Sequence, residues 1–136
     1  MSVYTLDIAT QGQGLYDITD KVWQAITPLK NATGLCTIFI RHTSASLTIQ
    51  ENADPAVQFD LQNWFNRLVP ENDPHYTHTQ EGADDMPAHI KTALTQTHLS
   101  IPIDQHQWVL GTWQGIYLWE HRHHSQRRTV VIHISL

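Results

Sequence analysis

The chain has 136 residues, 40% of them hydrophobic, which is the length of one domain and enough apolar content for a core without disulfides. Eight Lys and Arg against thirteen Asp and Glu leave a formal charge of -5, which removes the diffuse attraction that nucleic-acid binding rests on, so neither DNA nor RNA is an expected partner. No stretch has the apolar length of a membrane span, the N-terminus lacks a basic-then-apolar signal pattern, and the single Cys36 lies in an apolar run as a buried thiol; the expected setting is a reducing cytoplasm, away from membranes.

Residues 4–8 alternate as a half-buried strand, and Gly12-Gln13-Gly14 marks a turn. A helix is predicted next, capped by Asp17 or Thr19, with Ile18, Val22, Ala25, Ile26 and Leu29 at helical spacing and an end at Asn31-Ala32-Thr33-Gly34. Residues 35–42 and 45–51 read as two strands joined near Thr43-Ser44 that form the centre of the sheet. Asn52-Ala53-Asp54-Pro55 starts a helix with Asp54 as cap, and its stripe of Val57, Leu61, Trp64, Phe65 and Leu68 reads as core up to the stop at Pro70. Residues 71–82 read as a loop. A short helix opens at Asp84-Asp85-Met86-Pro87 with Ile90, Ala93 and Leu94 facing inward, and two to four strands, from among 99–103, 108–110, 116–122 and 129–134, finish the chain. The pattern predicts a single compact α+β domain over 1–136, an antiparallel β-sheet with two to three helices packed on it.

The stretch 111–122 is the most informative. Alternation puts Ile116, Leu118 and Glu120 on one face and Tyr117, Trp119 and His121 on the other, with both faces at least partly covered. A strand ending Glu-His-Arg then engages those groups in hydrogen bonds, ion pairs, a metal or a ligand, or else leaves the core for solvent. Cys36, Ile38, Ile40 and His42 share one parity, so His42 ends a core-facing row, either as a hydrogen-bonded core residue or as a ligand. The hydroxyls beside it, Thr43, Ser44 and Ser46, suit a phosphate or the amides of a turn, and the glycines of a serine nucleophile elbow are absent. Ala45, Leu47, Ile49 and Glu51 share a face, an arrangement that would let Glu51 meet His42, while the role of Asn52 stays open.

In Glu81-Gly82-Ala83-Asp84-Asp85-Met86-Pro87-Ala88-His89-Ile90-Lys91, three carboxylates, a histidine and a lysine surround a helix start. Capping accounts for one Asp; a pair suits a divalent ion and a pyrophosphate, with His89 as a further ligand. Closely paired Cys and His of the zinc type are absent, so any metal site is assembled from distant segments. Of the ten histidines, His123 and His124 read as turn residues, and His75, His78, His98 and His106 as exposed, without a role.

Three runs, His42-Thr43-Ser44-Ala45-Ser46-Leu47-Thr48-Ile49-Gln50-Glu51-Asn52-Ala53-Asp54-Pro55, Glu81 through Ile90, and Leu110-Gly111-Thr112-Trp113-Gln114-Gly115-Ile116, resemble those of the YjbQ-type, secondary thiamine-phosphate synthase family, in order and over nearly the whole chain. The resemblance implies a compact α+β fold assembled as a homotrimer, with metal-binding histidines near the subunit boundaries. It also implies a secondary activity: a hydroxymethylpyrimidine pyrophosphate is joined to a thiazole phosphate, giving thiamine phosphate and pyrophosphate.

Carried over by motif, His42, His89 and His121 are expected to converge on a divalent metal, zinc first, with magnesium better suited to Asp84, Asp85 and a pyrophosphate. Glu51, Asp85, His89 and Glu120 are the catalytic candidates. Arg41, Lys91 and Arg122 are the cations for the leaving group, with Ser44, Asn52 and Gln114 completing the substrate-binding set. The same residues would serve another metal-assisted reaction on a phosphorylated small molecule, or a non-catalytic trimer that binds one. The chain departs from the family at His98, where serine is usual, at His106, where a turn glycine is usual, and after Arg122, where His123-His124-Ser125-Gln126-Arg127-Arg128 is basic rather than acidic. The lost glycine puts the hairpin geometry in question, and the basic segment bears on substrate access.

Overall fold

The computed structural model describes residues 2–26 and 33–136, so the predicted helix end at Leu29, Asn31 and Ala32 lies outside the described residues. In chain order the elements are β1 (Ser2–Gln11), β2 (Gly14–Asp17), α1 (Thr19–Ile26), β3 (Gly34–Ile40), β4 (Ala45–Glu51), α2 (Pro55–Leu68), α3 (Asp85–Leu94), β5 (His98–Asp104), β6 (Gln107–Trp108), β7 (Gln114–Glu120) and β8 (Ser125–Ser135). The expected α+β class holds, but the strands form two antiparallel sheets rather than one: β1-β8-β3-β5-β6 and β2-β7-β4.

The predicted central pair is where this difference arises. β3 pairs with β5 and β8, whereas β4 pairs with β7, so residues 41–44 cross from one sheet to the other instead of closing a hairpin. His42 stabilises the crossing, its Nε2 accepting from the Thr129 amide at 2.8 Å. The two sheets face one another across the main core. Cys36, Ile38 and Ile40 of β3 and Val130, Ile132 and Ile134 of β8 meet Ala45 and Leu47 of β4 and Ile116 and Leu118 of β7, with Val22 and Ile26 of α1 in the same cluster. Burial pushes the Cys36 thiol up to about 12.

A second cluster, Phe65, Val69 and Trp119, packs α2 against the opposite face of the three-stranded sheet. Both faces of β7 are therefore covered, one by the other sheet and one by helices, which is why its side chains from Ile116 to Glu120 are all buried. Asp54 caps α2 by accepting from the Ala56 amide at 2.9 Å, and Pro55 takes the first turn as expected. The stripe of α2 is only partly core, however: Phe65 is buried, whereas Trp64 and Leu68 are each 52% exposed.

α3 is only partly as expected: Ile90 packs half-buried against the Phe65, Val69 and Trp119 cluster, but the rest of the inward face differs. Asp85, Ala88, Lys91 and Thr92 face inward, and Ala93 and Leu94 face out. The physical reason is that Asp85 and Lys91 find partners inside, which removes the penalty that would otherwise hold them at the surface. Among the described residues, no helix is long and apolar enough to cross a membrane.

Candidate metal and active site

The two ends of β7 separate the predicted site residues. Its seven residues span about 20 Å, with Gln114 opposite Glu51 at one end and Glu120 opposite Ala45 at the other. At the first end, Glu51 accepts from the Ala53 and Asp54 amides at 3.1 and 2.8 Å, holding the start of α2. The Gln114 side chain accepts from the Gly111 amide at 2.7 Å, and the Asn52 amide donates to the Trp113 carbonyl at 2.9 Å. Glu51 therefore does not meet His42: β4 carries it to the far end, where it serves the turn. Arg41 extends an exposed side chain from the crossing segment.

At the second end, Glu120 is fully buried among groups of the larger sheet. Arg128 of β8 donates to both its carboxylate oxygens, through Nε at 2.7 Å and through Nη2, and Thr10 of β1 donates to Oε1 at 2.7 Å. Arg128 Nη2 also reaches the Ser44 carbonyl and hydroxyl at 3.2 and 3.0 Å. Every oxygen of Glu120 is thus engaged in holding the sheets together, and Ser44 belongs to the same pair. Both were expected in the substrate or catalytic set; within the chain their contacts are structural.

His121 points to the other face and packs on Phe65 and Trp119. Its Nε2 lies 2.9 Å from Ser46 Oγ, and its Nδ1 is buried without a partner among the described residues. Burial, with Lys91 and Arg128 adding to it, pushes this imidazole down to about 3, so it is neutral at neutral pH. Burial also lowers His42, as Arg128 does, in keeping with an imidazole that accepts a backbone hydrogen bond. His42, His89 and His121 consequently do not converge within one chain: each ring has its own partners on a different element.

Among the described residues, the group that does converge is His78, Asp85 and His89, whose ligand atoms all lie within 4.8 Å of one another. Asp85 is the centre, with His78 Nε2 at 2.6 Å and His89 Nε2 at 3.2 Å from its Oδ2 and Arg122 Nη1 at 2.6 Å from its Oδ1. Asp85 and His89 stand four residues apart on α3 and so share a face, while the loop before α3 brings His78 over them.

His89 Nδ1 lies 3.0 Å from the Thr43 carbonyl, which can only accept. Nδ1 therefore carries the hydrogen, and in the neutral ring Nε2 turns a lone pair toward a carboxylate oxygen. That contact is completed by a cation shared by the two atoms, either a second proton on the line between them or a metal ion that both ligate from one side. The backbone carbonyl behind the ring is the support that metal-binding imidazoles ordinarily have, so these residues fit a divalent ion.

Arg122 locks the helix start. Its Nε donates to Asp84 Oδ2 at 3.0 Å and its Nη2 to the Glu81 carbonyl at 2.8 Å, while the His123 amide also reaches Asp84 at 2.8 Å. Burial alone would raise Asp84, but Arg122 and the His123 amide outweigh it and hold the carboxyl below its ordinary range; for Asp85, His78, Glu81 and Arg122 do the same. Neither aspartate caps α3 with its side chain, contrary to expectation, because both are taken by Arg122.

His78, read from the sequence as exposed and without a role, is exposed as expected, but its ring stands against Asp85, a contact the sequence reading did not foresee. The spacing that would have found it is His78 followed by the Asp85 and His89 pair on one helical face. Beside it opens a pocket of about 150 Å³ lined by Asp73, Tyr76, His78 and Met86.

Fold and site together define a small α+β protein of two facing antiparallel sheets, with a cluster of two histidines and one carboxylate at the start of a helix. The family profile described as UPF0047 protein YjbQ-like matches residues 4–135, and the chain belongs to that family. It is 53% identical over 130 residues to the UPF0047 protein sll1880 of Synechocystis, covering 96% of this chain and 88% of the relative. It is 41% identical to the UPF0047 protein YjbQ of Escherichia coli O157:H7, with 93% and 92% covered. Among solved structures, it resembles the conserved hypothetical protein TT1486 of Thermus thermophilus with a TM-score of 0.86 at 34% identity, covering 97% of this chain and 99% of the other. A YjbQ/UPF0047 protein of Clostridium acetobutylicum is similar with a TM-score of 0.85 at 33% identity, covering 99% and 100%.

Proposed function

We propose that the protein is a metal-assisted enzyme acting on a phosphorylated small molecule, with thiamine-phosphate synthesis as a secondary activity. The observation that carries this reading is the His89 ring, tied to Thr43 through Nδ1 and turned through Nε2 toward Asp85 beside His78. Two imidazoles and one carboxylate make a donor set of the catalytic zinc type rather than the all-oxygen set that magnesium prefers. When bound, such an ion supplies positive charge where a pyrophosphate leaves.

In thiamine-phosphate synthesis, the thiazole nitrogen forms a bond to the pyrimidine methylene carbon as the bond from that carbon to the pyrophosphate oxygen breaks, and the electron pair leaves with pyrophosphate. Thr43 fixes the His89 tautomer, and Arg122 fixes the Asp85 carboxylate, acting as a positioning residue because each of its three nitrogens already donates to Asp84, Asp85 or Glu81. The pocket beside His78 is the place for a substrate.

A second reading, a non-catalytic homotrimer that binds a small molecule, is favoured by the exposed apolar groove of about 290 Å³ lined by Leu61, Trp64, Leu68 and Leu94.

The test is metal content together with thiamine phosphate formation from the two phosphorylated halves, for the wild type and for His78→Ala and His89→Ala. The expected result is about one ion per chain and slow turnover, both lost in each variant while the fold is kept. Metal retained in both variants would overturn the assigned ligands. Bound metal without thiamine phosphate formation would move the reaction to another phosphorylated substrate. A wild type that takes up neither zinc, manganese nor magnesium would leave the binding module.

A further inference from the structure

We propose that the partly open cavity between α2, α3 and the end of β7 is a subsite for the oxyanion end of a small molecule, a carboxylate or phosphate group, held by Lys91 Nζ and His121 Nδ1. The cavity, about 120 Å³, is lined by both residues together with Gln13, Asn66, Glu71 and His123. Lys91 and His121 are only 2% and 1% exposed, so neither can satisfy its polar atoms in bulk water.

The hydrogen bonds around the cavity show what it lacks. Ser46 is fully buried, and its hydroxyl has the His121 ring as partner at 2.9 Å. A buried hydroxyl that accepted from the ring would leave its own hydrogen unspent, so Ser46 donates to Nε2, and Nδ1 carries the ring hydrogen. That Nδ1–H is the atom without a partner among the described residues. Lys91 has three ammonium hydrogens and gives one to Asn66 Oδ1 at 2.6 Å; Asn66 is oriented for this by donating through Nδ2 to Gln13 Oε1 at 3.0 Å.

The Asp84 carboxylate at the wall is already engaged, and one oxygen of Glu71 is held at the exposed rim. Asp84 receives Arg122 and the His123 amide, and Glu71 pairs with the His123 ring at 3.3 Å. What remains unspent is donor capacity, with a positive charge beside it, and an oxyanion is the ligand that completes it. The subsite is separate from the His78, Asp85 and His89 cluster and holds whether or not a metal binds there. Arg122 joins the two, touching Asp84 at the cavity and Asp85 at the cluster.

The experiment is a titration of the wild-type protein with inorganic phosphate, and separately with acetate, at ionic strength matched by chloride, following the imidazole nitrogens by NMR. A saturable shift of the His121 resonances is expected, and the probe that acts at the lower concentration identifies the oxyanion. Lys91→Met, which keeps the volume and removes the charge, is expected to weaken that binding about tenfold or more. An unmoved His121 ring with both probes would overturn the proposal, as would shifts confined to His78 and His89. A folded Lys91→Met protein that titrates like the wild type would also overturn it. The wild-type titration decides the matter even where the variant fails to fold.

Discussion

Glu120 and His121 are chain neighbours with opposite fates, because a strand turns successive side chains to opposite faces. Glu120 enters the core between the sheets and is neutralised by Arg128, whereas His121 enters the helix layer and stays uncharged. Glu120→Ala would leave Arg128 buried without its partner, and the expected loss is about 3–5 kcal/mol in urea unfolding, with metal uptake by the folded fraction unchanged. A catalytic Glu120 would instead spare stability and remove turnover.

His121 makes a pH prediction of known sign. Its native value of about 3 lies below the ordinary 6.5, so the unfolded chain binds more protons between those two values. Its contribution is complete above pH 6.5 and is lost as pH falls toward 3, at about 1.4 kcal/mol per pH unit. His42, also lowered by burial, acts in the same direction. His121→Gln is expected to flatten the stability profile over that range, as read from urea midpoints at successive pH values.

At the scale of elements, the hairpin between β5 and β6 shows how a tight turn is made without glycine. Gln105 and His106 adopt φ values of 49 and 63, the left-handed region that glycine or asparagine enters most readily. The hairpin still forms, with Ile103 opposite Trp108 and Asp104 opposite Gln107, and the His106 ring lies 5.0 Å from that of Trp23. Gln105→Asn keeps the turn and relieves part of the strain; thermal unfolding should show a gain of about 0.5 kcal/mol. Gly82, at φ 108, is a different case. A Cβ there would come within 3.0 Å of Asp84 Oδ1, so Gly82 keeps room for the carboxylate that Arg122 grips.

At the scale of the whole molecule, α2 and α3 pack a buried layer on the three-stranded sheet and leave Phe59, Trp64, Leu68 and Leu94 more than half exposed. The proposed homotrimer would cover this apolar face. Leu94→Glu, at the solvent side of α3, is then expected to shift the assembly toward monomer in sedimentation while the isolated chain keeps its fold. A wild type that sediments as a monomer would refute that assembly.

Much of this protein was legible from residue order alone. Period-two and helical spacing located most strands and the helices, Asp54-Pro55 fixed the start of α2, and the parity of 116–121 foretold two covered faces, because these features depend on local geometry. The Asp85 and His89 pair was legible for the same reason, being one helical turn apart. What the tertiary structure decided was which distant segments meet. The crossing at 41–44 separates β3 from β4, β7 carries Glu51 and Glu120 to opposite ends, and the loop before α3 delivers His78 to Asp85 in place of His42 and His121. Those contacts are set by the pairing of strands far apart in the chain and by buried charges finding partners, and neither leaves a periodic trace in the sequence.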